Sequence, residues 1–160
     1  MKEIPLTRGY VAFVDDADYE RVMAAGPWFS QIDKHTVYVR RSIRLAANRW
    51  TNQSLHRFIL GVTDSRVPVD HVNHNGLDNR RKNLRTCTAG QSKANQRKRT
   101  GLTSRFKGVS WSKAAHKWHA RIKRKHLGFF ENEIDAAVAY YRAALELYGE
   151  FATSSIKGKR

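Results

Sequence analysis

Two neighbouring residues, Asp70 and His71, combine a carboxylate with an imidazole at the end of a predicted strand. An Asn-rich loop follows them, and Asn83 and Asn95 come later in the same stretch. Hydrolysis of a phosphodiester needs a neutral imidazole that takes a proton from water, a carboxylate that holds a hard divalent cation, and a polar group that orients the imidazole. These residue types supply all three. An Asp-His pair in a turn also forms a simple local hydrogen bond, so composition alone leaves both interpretations open.

The positive charge of this 160-residue chain is concentrated in one block. Lys and Arg number 30 against 14 Asp and Glu, which gives a formal net charge of +16. Residues 79–130 hold 16 basic residues and no acidic one, with aromatic residues between them. Like charges so close together repel one another. The aromatic residues between them predict a folded basic surface rather than a disordered tail. The block contains no long amphipathic run of the membrane-surface type, so the expected partner is nucleic acid.

Composition also excludes several classes of protein. The apolar fraction of 41% and the four Trp are sufficient for a hydrophobic core. The longest apolar runs are far shorter than a membrane helix needs, and no secretory signal is recognisable. A single cysteine, Cys87, rules out a disulfide framework and a Cys-rich zinc site. We therefore expect a cytoplasmic protein without a membrane partner or a small-molecule substrate.

Residue patterns predict a mixed α+β chain. A small β-rich N-terminal region contains a strand at 10–14, a helix at 15–25, a hairpin over 28–43 and a short helix at 54–61. Residues 67–99 then form a strand that ends at His71, a polar loop, a short strand and a basic helix. After a polar linker at 100–104, three short strands precede a helix at 131–149.

The last predicted helix has two kinds of apolar position. Its large side chains recur at helical spacing, and alanines that allow close approach to a sheet stand between them. The large residues of this stripe are Ile134, Val138, Tyr141, Leu145 and Tyr148. This pattern predicts a three-stranded antiparallel sheet packed on one helix.

Residues 69–85, VDHVNHNGLDNRRKNLR, resemble the HNH nuclease motif of phage and intron-type homing endonucleases. The upstream segments LTRGYVAFVDDADYE and SLHRFILG resemble sequences that precede this motif, so the likeness covers about residues 5–99. The resemblance implies a nuclease domain over 1–99, with a strand–strand–helix (ββα-metal) finger at about 67–99.

The resemblance also implies a role for each motif residue. His71 is the general base, Asp70 is a ligand of Mg²⁺ or Mn²⁺, and Asn83 buttresses the loop and orients His71. The helix ligand of the family falls nine residues after Asn83, at Ser92, and a hydroxyl is a weaker ligand than an amide or an imidazole. Asn95, on the same helical face, is the alternative ligand.

Three further residues in this half leave alternatives open. His74 is either a solvated loop residue or a metal ligand. His56 either packs or contacts phosphate. Cys87 is most simply a small core residue.

Residues 105–152 resemble the ethylene-response-factor (APETALA-type) DNA-binding domain over about 48 residues. The segments RFKGVSW, KWHARIKR and LGFF and the Ala-rich helix carry the likeness. It implies that outward strand residues face duplex DNA. Trp118 stands one position before the outward His119, which favours a core position over a DNA contact. Ser110, Arg121 and His126 depart from the plant pattern, so the recognised DNA sequence should differ. Together with the linker helix, the matching positions give the contact candidates Arg97, Lys98, Arg99, Arg105, Lys107, Ser110, Trp111, Arg121, Lys123, Arg124 and His126.

The two halves together predict a metal-dependent DNA endonuclease of the homing type, followed by a flexible basic tail at 153–160. One active site per chain predicts strand nicking by a monomer or a weak homodimer. Two other functions remain open. Ser92 at the ligand position favours a DNA-binding regulator with a decayed nuclease centre, and the charge alone is compatible with an RNA-associated basic protein.

Overall fold

The computed structural model describes residues 1–33, 36–96, 98 and 101–153. Its internal contacts divide the chain into two compact units, Met1–Thr88 and Ala89–Arg160. The sequence predicted a boundary at the 100–104 linker, whereas this division assigns the basic helix to the second unit. Arg97, Arg99, the first linker residue Thr100 and the tail at 154–160 lie outside the described residues.

The first unit consists of small antiparallel sheets and two short helices. β1 pairs with β2, β4 pairs with both β3 and β5, and β6 pairs with β7. The elements are β1 (Lys2–Pro5), β2 (Val11–Val14), α1 (Asp16–Ala25), β3 (Phe29–Asp33), β4 (Thr36–Ala46), β5 (Arg49–Ser54), α2 (Leu55–Leu60), β6 (Val69–His71) and β7 (Leu84–Thr86).

One hydrophobic core holds this unit together. Val14, Val22, Val39, Leu55 and Ile59 are almost completely buried in it. Each comes from a different strand or helix, except that Leu55 and Ile59 share one face of α2 at i, i+4 spacing. Because the strands and α2 meet in this core, it fixes the base on which the polar loop after β6 rests.

Charged groups fasten α1 to the segment just before β7. Asp18 is only 3% exposed and accepts hydrogen bonds from Arg21 and Arg81, each at 2.7 Å. Burial opposes ionisation of Asp18, but the two guanidinium groups outweigh it and lower the pKa of the carboxyl group. The backbone N–H of Arg81 also donates to Asp15 Oδ2 at 2.7 Å.

The hairpin predicted over 28–43 extends further than the residue pattern indicated. β4 continues to Ala46 and pairs with β5, which the sequence analysis did not predict. Residues 44–52 are all exposed, so they lack the buried alternate positions by which a strand is recognised in a sequence.

The second unit contains a three-stranded antiparallel sheet in the order β10-β9-β8, packed on a long helix. This confirms the α+β architecture predicted for the region. Its elements are α3 (Ala89–Asn95), β8 (Val109–Ser112), β9 (Lys117–Ile122), β10 (Lys125–Phe130) and α4 (Glu133–Tyr148).

The alanines of α4 face the sheet, in agreement with the close approach that the sequence pattern predicted. Ala136, Ala137 and Tyr140 are buried, whereas Ile134 and Leu145 of the predicted stripe are 44% and 42% exposed. Small residues face the sheet because helix and sheet approach very closely. A Cβ atom added at Gly108, whose φ is +71°, would lie 2.0 Å from the Tyr140 ring.

Of the predicted strand–strand–helix finger, only the two strands lie together in one unit. β6 and β7 pair antiparallel in the first unit, whereas α3 belongs to the second. The finger as a single body therefore stays a prediction. In the described part of the chain, none of the helices has the length and apolar character that a membrane span requires.

Candidate functional site

The two neighbouring residues of the predicted site, Asp70 and His71, lie on β6, which pairs antiparallel with β7. His71 pairs with Leu84, and Asp70 pairs with Arg85. His71 is 5% exposed and stands at the end of its strand, where the polar loop begins. The local pattern of the sequence thus positions the imidazole at the junction of a rigid element and a loop.

The buried imidazole of His71 is enclosed by polar and aromatic groups. Its Nε2 lies 3.4 Å from Asn79 Oδ1. The His56 ring meets the His71 ring edge to face with centroids 5.0 Å apart, and the Tyr38 ring lies at 6.0 Å. Burial lowers the pKa of His71, against the opposing effects of the Asn79 hydrogen bond and the nearby carboxylates. The ring is therefore neutral at pH 7, as a proton acceptor must be.

Asn83 braces the loop from within. Its side chain is 6% exposed, Nδ2 donates to the backbone oxygen of Asp78 at 2.7 Å, and Oδ1 accepts from the backbone N–H of Asn73 at 3.0 Å. The backbone N–H of Val72 donates to the Asn83 carbonyl at 2.9 Å. These bonds hold together the two ends of the loop that starts at His71. The orienting role expected for Asn83 stays a prediction.

Asn79, a buried loop residue that contacts the His71 ring, was missed in the sequence analysis. Asn79 is completely buried, and its backbone N–H donates to the Phe13 carbonyl at 2.8 Å. The loop also approaches β4 so closely that a Cβ atom at Gly76 would lie 2.4 Å from the Val37 carbonyl oxygen. A glycine in an Asn-rich loop is the one sequence signal that pointed to this close approach.

His56 is a buried neighbour of His71 rather than an exposed group. It is 9% exposed, and burial together with the charges of His71, Arg57 and Arg40 lowers its pKa to about 3. A neutral, buried imidazole supports the packing interpretation of His56. His74, in contrast, is half-buried in the loop with a φ of 63°.

Asp70 presents a hard oxygen ligand in the first unit. Its Oδ2 lies 3.5 Å from Arg85 Nη2, and both side chains are mostly buried. The described residues contain no cluster of three or more His, Cys, Asp or Glu that would hold a metal by itself. Mg²⁺ commonly takes only one or two carboxylates and completes its shell with water and phosphate oxygens. The single carboxylate of Asp70 is therefore compatible with an ion that takes its other ligands from water and phosphate oxygens.

The two candidates for the helix ligand, Ser92 and Asn95, lie on α3 in the second unit. Ser92 is half-buried. Asn95 is 4% exposed, and its Oδ1 accepts a hydrogen bond from the Thr153 hydroxyl at 3.1 Å. A ligand role for either residue stays a prediction.

The outer face of the sheet in the second unit carries basic and aromatic side chains. His119 Nε2 lies 2.8 Å from His126 Nδ1, and both rings are close to the ring of Phe129. Arg121 is the strand partner of His126. Together with the turn residues Lys123 and Arg124 they line one shallow concavity. The sequence analysis included four of these six residues but omitted His119 and Phe129.

One of the other predicted DNA contacts, Lys107, is engaged elsewhere within the second unit. Lys107 donates to the carbonyl oxygens of Lys93, Ala94 and Gln96 at 2.7 to 2.8 Å. Burial and the Lys98 charge lower the pKa of Lys107 to about 8, so the ammonium is charged at pH 7. Lys107, expected to face DNA, thus caps the end of α3.

The remaining predicted contacts are exposed to different degrees. Arg105 is exposed, with Nε 3.7 Å from Glu133 Oε2. Trp111 is 39% exposed and meets the Trp118 ring at 5.2 Å, while Trp118 packs against the core as expected. Ser110 is exposed, and burial lowers the pKa of the half-buried Lys98.

A buried neutral histidine at a strand end, in a loop braced by asparagines, defines a candidate hydrolase centre. Two viral proteins are similar to this chain. Protein 3.8 of Escherichia phage T7 is 32% identical over 87 residues, which are 52% of this chain and 72% of that protein. An uncharacterized HNH endonuclease of Acanthamoeba polyphaga mimivirus is 31% identical over 129 residues, which are 76% of this chain and 67% of that protein.

The chain belongs to the HNH endonuclease family. No family model matches the sequence. No solved structure is significantly similar to it either.

Proposed function

We propose that this protein is a metal-dependent DNA endonuclease that hydrolyses one phosphodiester bond with His71 as the general base. The observation that carries the proposal is the buried, neutral imidazole of His71 against Asn79 Oδ1. The similarity to an HNH endonuclease of a virus supports the same reaction class.

The hydrogen bond to Asn79 determines which nitrogen of His71 accepts the proton. With Nε2–H donating to Asn79, the lone pair lies on Nδ1. Nδ1 takes a proton from water, the water oxygen forms a bond to phosphorus, and the bond from phosphorus to the 3′ oxygen breaks. The 3′ oxygen then takes a proton from solvent. Mg²⁺ or Mn²⁺ held by Asp70 would offset the negative charge that develops on the phosphate.

The outer sheet face of the second unit is proposed to hold duplex DNA in the manner of an ethylene-response-factor domain. Arg121 and His126 lie on adjacent strands, and Ser110 is exposed on the third. Strand residues of this kind read base edges in the major groove, while the turn residues Lys123 and Arg124 suit phosphates. Lys107 is not part of this proposed contact set because its ammonium caps α3.

Arg105, Trp111 and Lys98 complete the proposed DNA contacts. Arg97 and Arg99, which lie outside the described residues, are proposed to contact the DNA backbone, as the sequence predicts. One His71 per chain cuts one strand, so the expected product is a nick made by a monomer or a weak homodimer. The viral sources of both relatives support a phage or mobile-element enzyme of the homing type, which would act in the cytoplasm of a host cell.

The proposal is tested with supercoiled plasmid at low salt, with Mg²⁺ or Mn²⁺ against EDTA. We expect relaxed circles that require both the metal and His71, so that His71→Ala is inactive. The matched control is His116→Ala, which removes an exposed imidazole from a turn of the second unit. Relaxation in EDTA, or by His71→Ala, would contradict the proposal.

A DNA-binding regulator with a decayed nuclease centre is the second candidate function. It is favoured by Ser92 at the expected ligand position and by the guanidinium of Arg85 facing Asp70. This candidate predicts salt-dependent DNA binding without cleavage, even on DNA from the source genome. Preference for structured RNA in competition with duplex DNA would instead indicate an RNA-associated protein.

A further inference from the structure

The tip of the β4–β5 hairpin is an exposed two-stranded ribbon that neither the candidate active site nor the basic sheet uses. All residues from 44 to 52 are exposed. Among them, Trp50 is 63% exposed and Leu45 is 53% exposed. Trp in particular is enriched at interfaces, because its ring combines a large apolar surface with a hydrogen-bond donor.

The charge of the ribbon indicates an anionic partner. No acidic residue occurs between positions 36 and 63, whereas five arginines do. In the part of the chain that the structure describes, the exposed Arg49 has no ion-pair partner. The arginines are Arg40, Arg41, Arg44, Arg49 and Arg57.

The two faces of the ribbon differ in their environment. Arg41 lies on one face, where its guanidinium packs over the rings of Trp28 and Phe58 at the edge of the core. Side chains alternate along a strand, so the other face carries Arg44 and its cross-strand partner Trp50. Ser42 and Asn52 form the next pair on that face, and Ser42 Oγ lies 3.3 Å from Asn52 Oδ1.

This second face is continuous with the candidate active site. Tyr38, Arg40 and Arg44 occupy alternate positions of β4 and therefore share the face. The Tyr38 ring lies 6.0 Å from the His71 ring. At about 3.3 Å per residue, Arg44 is about 20 Å further along the strand. That length corresponds to about six base pairs of B-DNA.

We propose that the β4–β5 ribbon lies in the major groove of duplex DNA, with the face of Ser42, Arg44, Trp50 and Asn52 toward the DNA. The major groove, about 12 Å wide, admits a two-stranded ribbon. Trp50 and Arg44 contact the DNA about six base pairs from the bond that His71 attacks. This inference rests on the proposed function and adds a second recognition surface, in the first unit.

The test uses the full-length protein and variants at the exposed tip, where replacement leaves the core intact. Trp50→Ala and Arg44→Ala, on the proposed face, are compared with Thr51→Ala, on the opposite face, and with Arg142→Ala, which removes the same charge from an exposed position of α4. Affinity for a duplex of about 40 base pairs, well beyond the expected contact span, is measured in EDTA at several salt concentrations. Nicking of plasmid and of mapped sites is measured in parallel with Mg²⁺, and circular dichroism verifies folding.

We expect Trp50→Ala to weaken DNA binding about tenfold, because the contact area of the indole is lost, and both controls to bind like the wild type. Arg44→Ala should reduce the slope of log K against log salt by about 0.9, the value of one phosphate contact. In a footprint around a mapped nick, the complex with Trp50→Ala should no longer protect the DNA about six base pairs to one side of the nick.

The outcomes separate this inference from the proposed function. If the wild type nicks DNA and both tip variants bind and nick equally well, the ribbon is not a DNA contact and the inference is overturned. If the tip variants lose DNA affinity but the wild type never nicks, the nuclease function fails while the groove contact stands. Loss of binding to anionic lipid vesicles in Trp50→Ala, with DNA binding intact, would assign the tip to a membrane surface and overturn the inference.

Discussion

Asn79 fixes the tautomer of His71. The Nδ2 of Asn79 donates to the Gly76 carbonyl at 3.1 Å, which turns Oδ1 of the same amide toward His71 Nε2 at 3.4 Å. An amide oxygen only accepts hydrogen bonds, so Nε2 carries the hydrogen and Nδ1 carries the lone pair. Because Asn79 is completely buried and its backbone is bonded to Phe13, this orientation is built into the fold.

Replacement of Asn79 by Ala should therefore slow cleavage while leaving DNA affinity intact. Loss of a group that orients a catalytic residue typically costs about 10- to 100-fold in activity. Single-turnover nicking and DNA affinity are measured on the same preparation, with Val72→Ala, at an exposed position beside His71, as the control. Equal losses of affinity and rate would show that Asn79 acts only through folding.

Asn83→Ala should impair both stability and cleavage, and cleavage more than DNA binding. The change removes the bonds to Asp78 and Asn73 and leaves the buried Asp78 carbonyl and the partly buried Asn73 N–H without these partners. Such a loss costs about 1–3 kcal/mol in the free energy of unfolding. Denaturant unfolding, nicking and gel shift measure the three quantities. A large loss of DNA binding in a folded variant would contradict the bracing role.

His56 should make the stability of the protein depend on pH. Its pKa is about 3 in the folded state, whereas a histidine in an unfolded chain titrates near pH 6.5. Between these values the unfolded state binds a proton that the folded state does not. The free energy of unfolding therefore falls as the pH falls, by up to about 1.4 kcal/mol per pH unit. The contribution of His56 to the free energy of unfolding reaches its full value only above about pH 6.5.

The variant His56→Phe should flatten this pH dependence between about pH 6.5 and pH 4.5. In that window the lowered pKa values of Asp18 and Asp78 contribute little, because even an ordinary aspartate is ionised above about pH 4. The lowered pKa of His71 acts in the same direction as that of His56 and leaves a residual slope. Urea unfolding at several pH values measures the effect, with His116→Ala as the control. A slope unchanged by His56→Phe would show that His56 is not buried neutral.

The pair His119–His126 should couple DNA binding to pH. The hydrogen bond of 2.8 Å requires one ring nitrogen to be unprotonated. Burial, with the charges of His126 and Arg121, lowers the pKa of His119. Phosphate nearby favours the protonated form, so affinity should rise as the pH falls from about 7.5 to about 5.5.

The measurement for this pair is the salt dependence of DNA affinity at both pH values. Each additional phosphate contact steepens the slope of log K against log salt by about 0.9. His119→Gln, which keeps a polar side chain but cannot become charged, should remove most of the increase. An increase of the same size in His119→Gln would assign the pH dependence to other groups.

Replacing Lys107 and replacing Arg121 should have opposite effects on stability and on DNA binding, although both residues were expected to contact DNA. Lys107→Met removes three hydrogen bonds to the end of α3, which should lower the free energy of unfolding by about 2 kcal/mol and leave the salt dependence of DNA binding unchanged. Arg121→Ala should lower DNA affinity and leave stability nearly unchanged, because Arg121 is exposed. Thermal unfolding and fluorescence anisotropy distinguish the two. A shallower salt slope for Lys107→Met would return Lys107 to the DNA contacts.

Local sequence determined the elements that carry the site. Alternation and turn residues predicted strands ending at His71 and starting near Leu84, and both are present as β6 and β7. The helix before Gly61 and the three strands and helix of the second unit were also predicted, because each depends on residues that are neighbours in the chain. The spacing from His71 to Asn83 reflects a short loop closed between paired strands, and local geometry is sufficient to specify it.

Only the tertiary structure decided what surrounds these elements. His56 and Tyr38 reach His71 from elements that lie 15 and 33 positions earlier in the chain, and no local pattern encodes that approach. The exposed strand β5 lacks buried alternate residues, so the sequence contained no period-2 signal for it. The same limit applies to Lys107, since its chain spacing from α3 does not reveal which carbonyls it reaches.

The sequence by itself determined the charge, the HNH motif and the order of helices and strands. The tertiary structure decided which faces are covered. On α4, periodicity identified one stripe of large residues and one of alanines, but the alanines face the sheet. The close contact of Gly108 with Tyr140 leaves no space there for larger side chains. Periodicity gives the residues that share a face, whereas the space available opposite determines which face is buried.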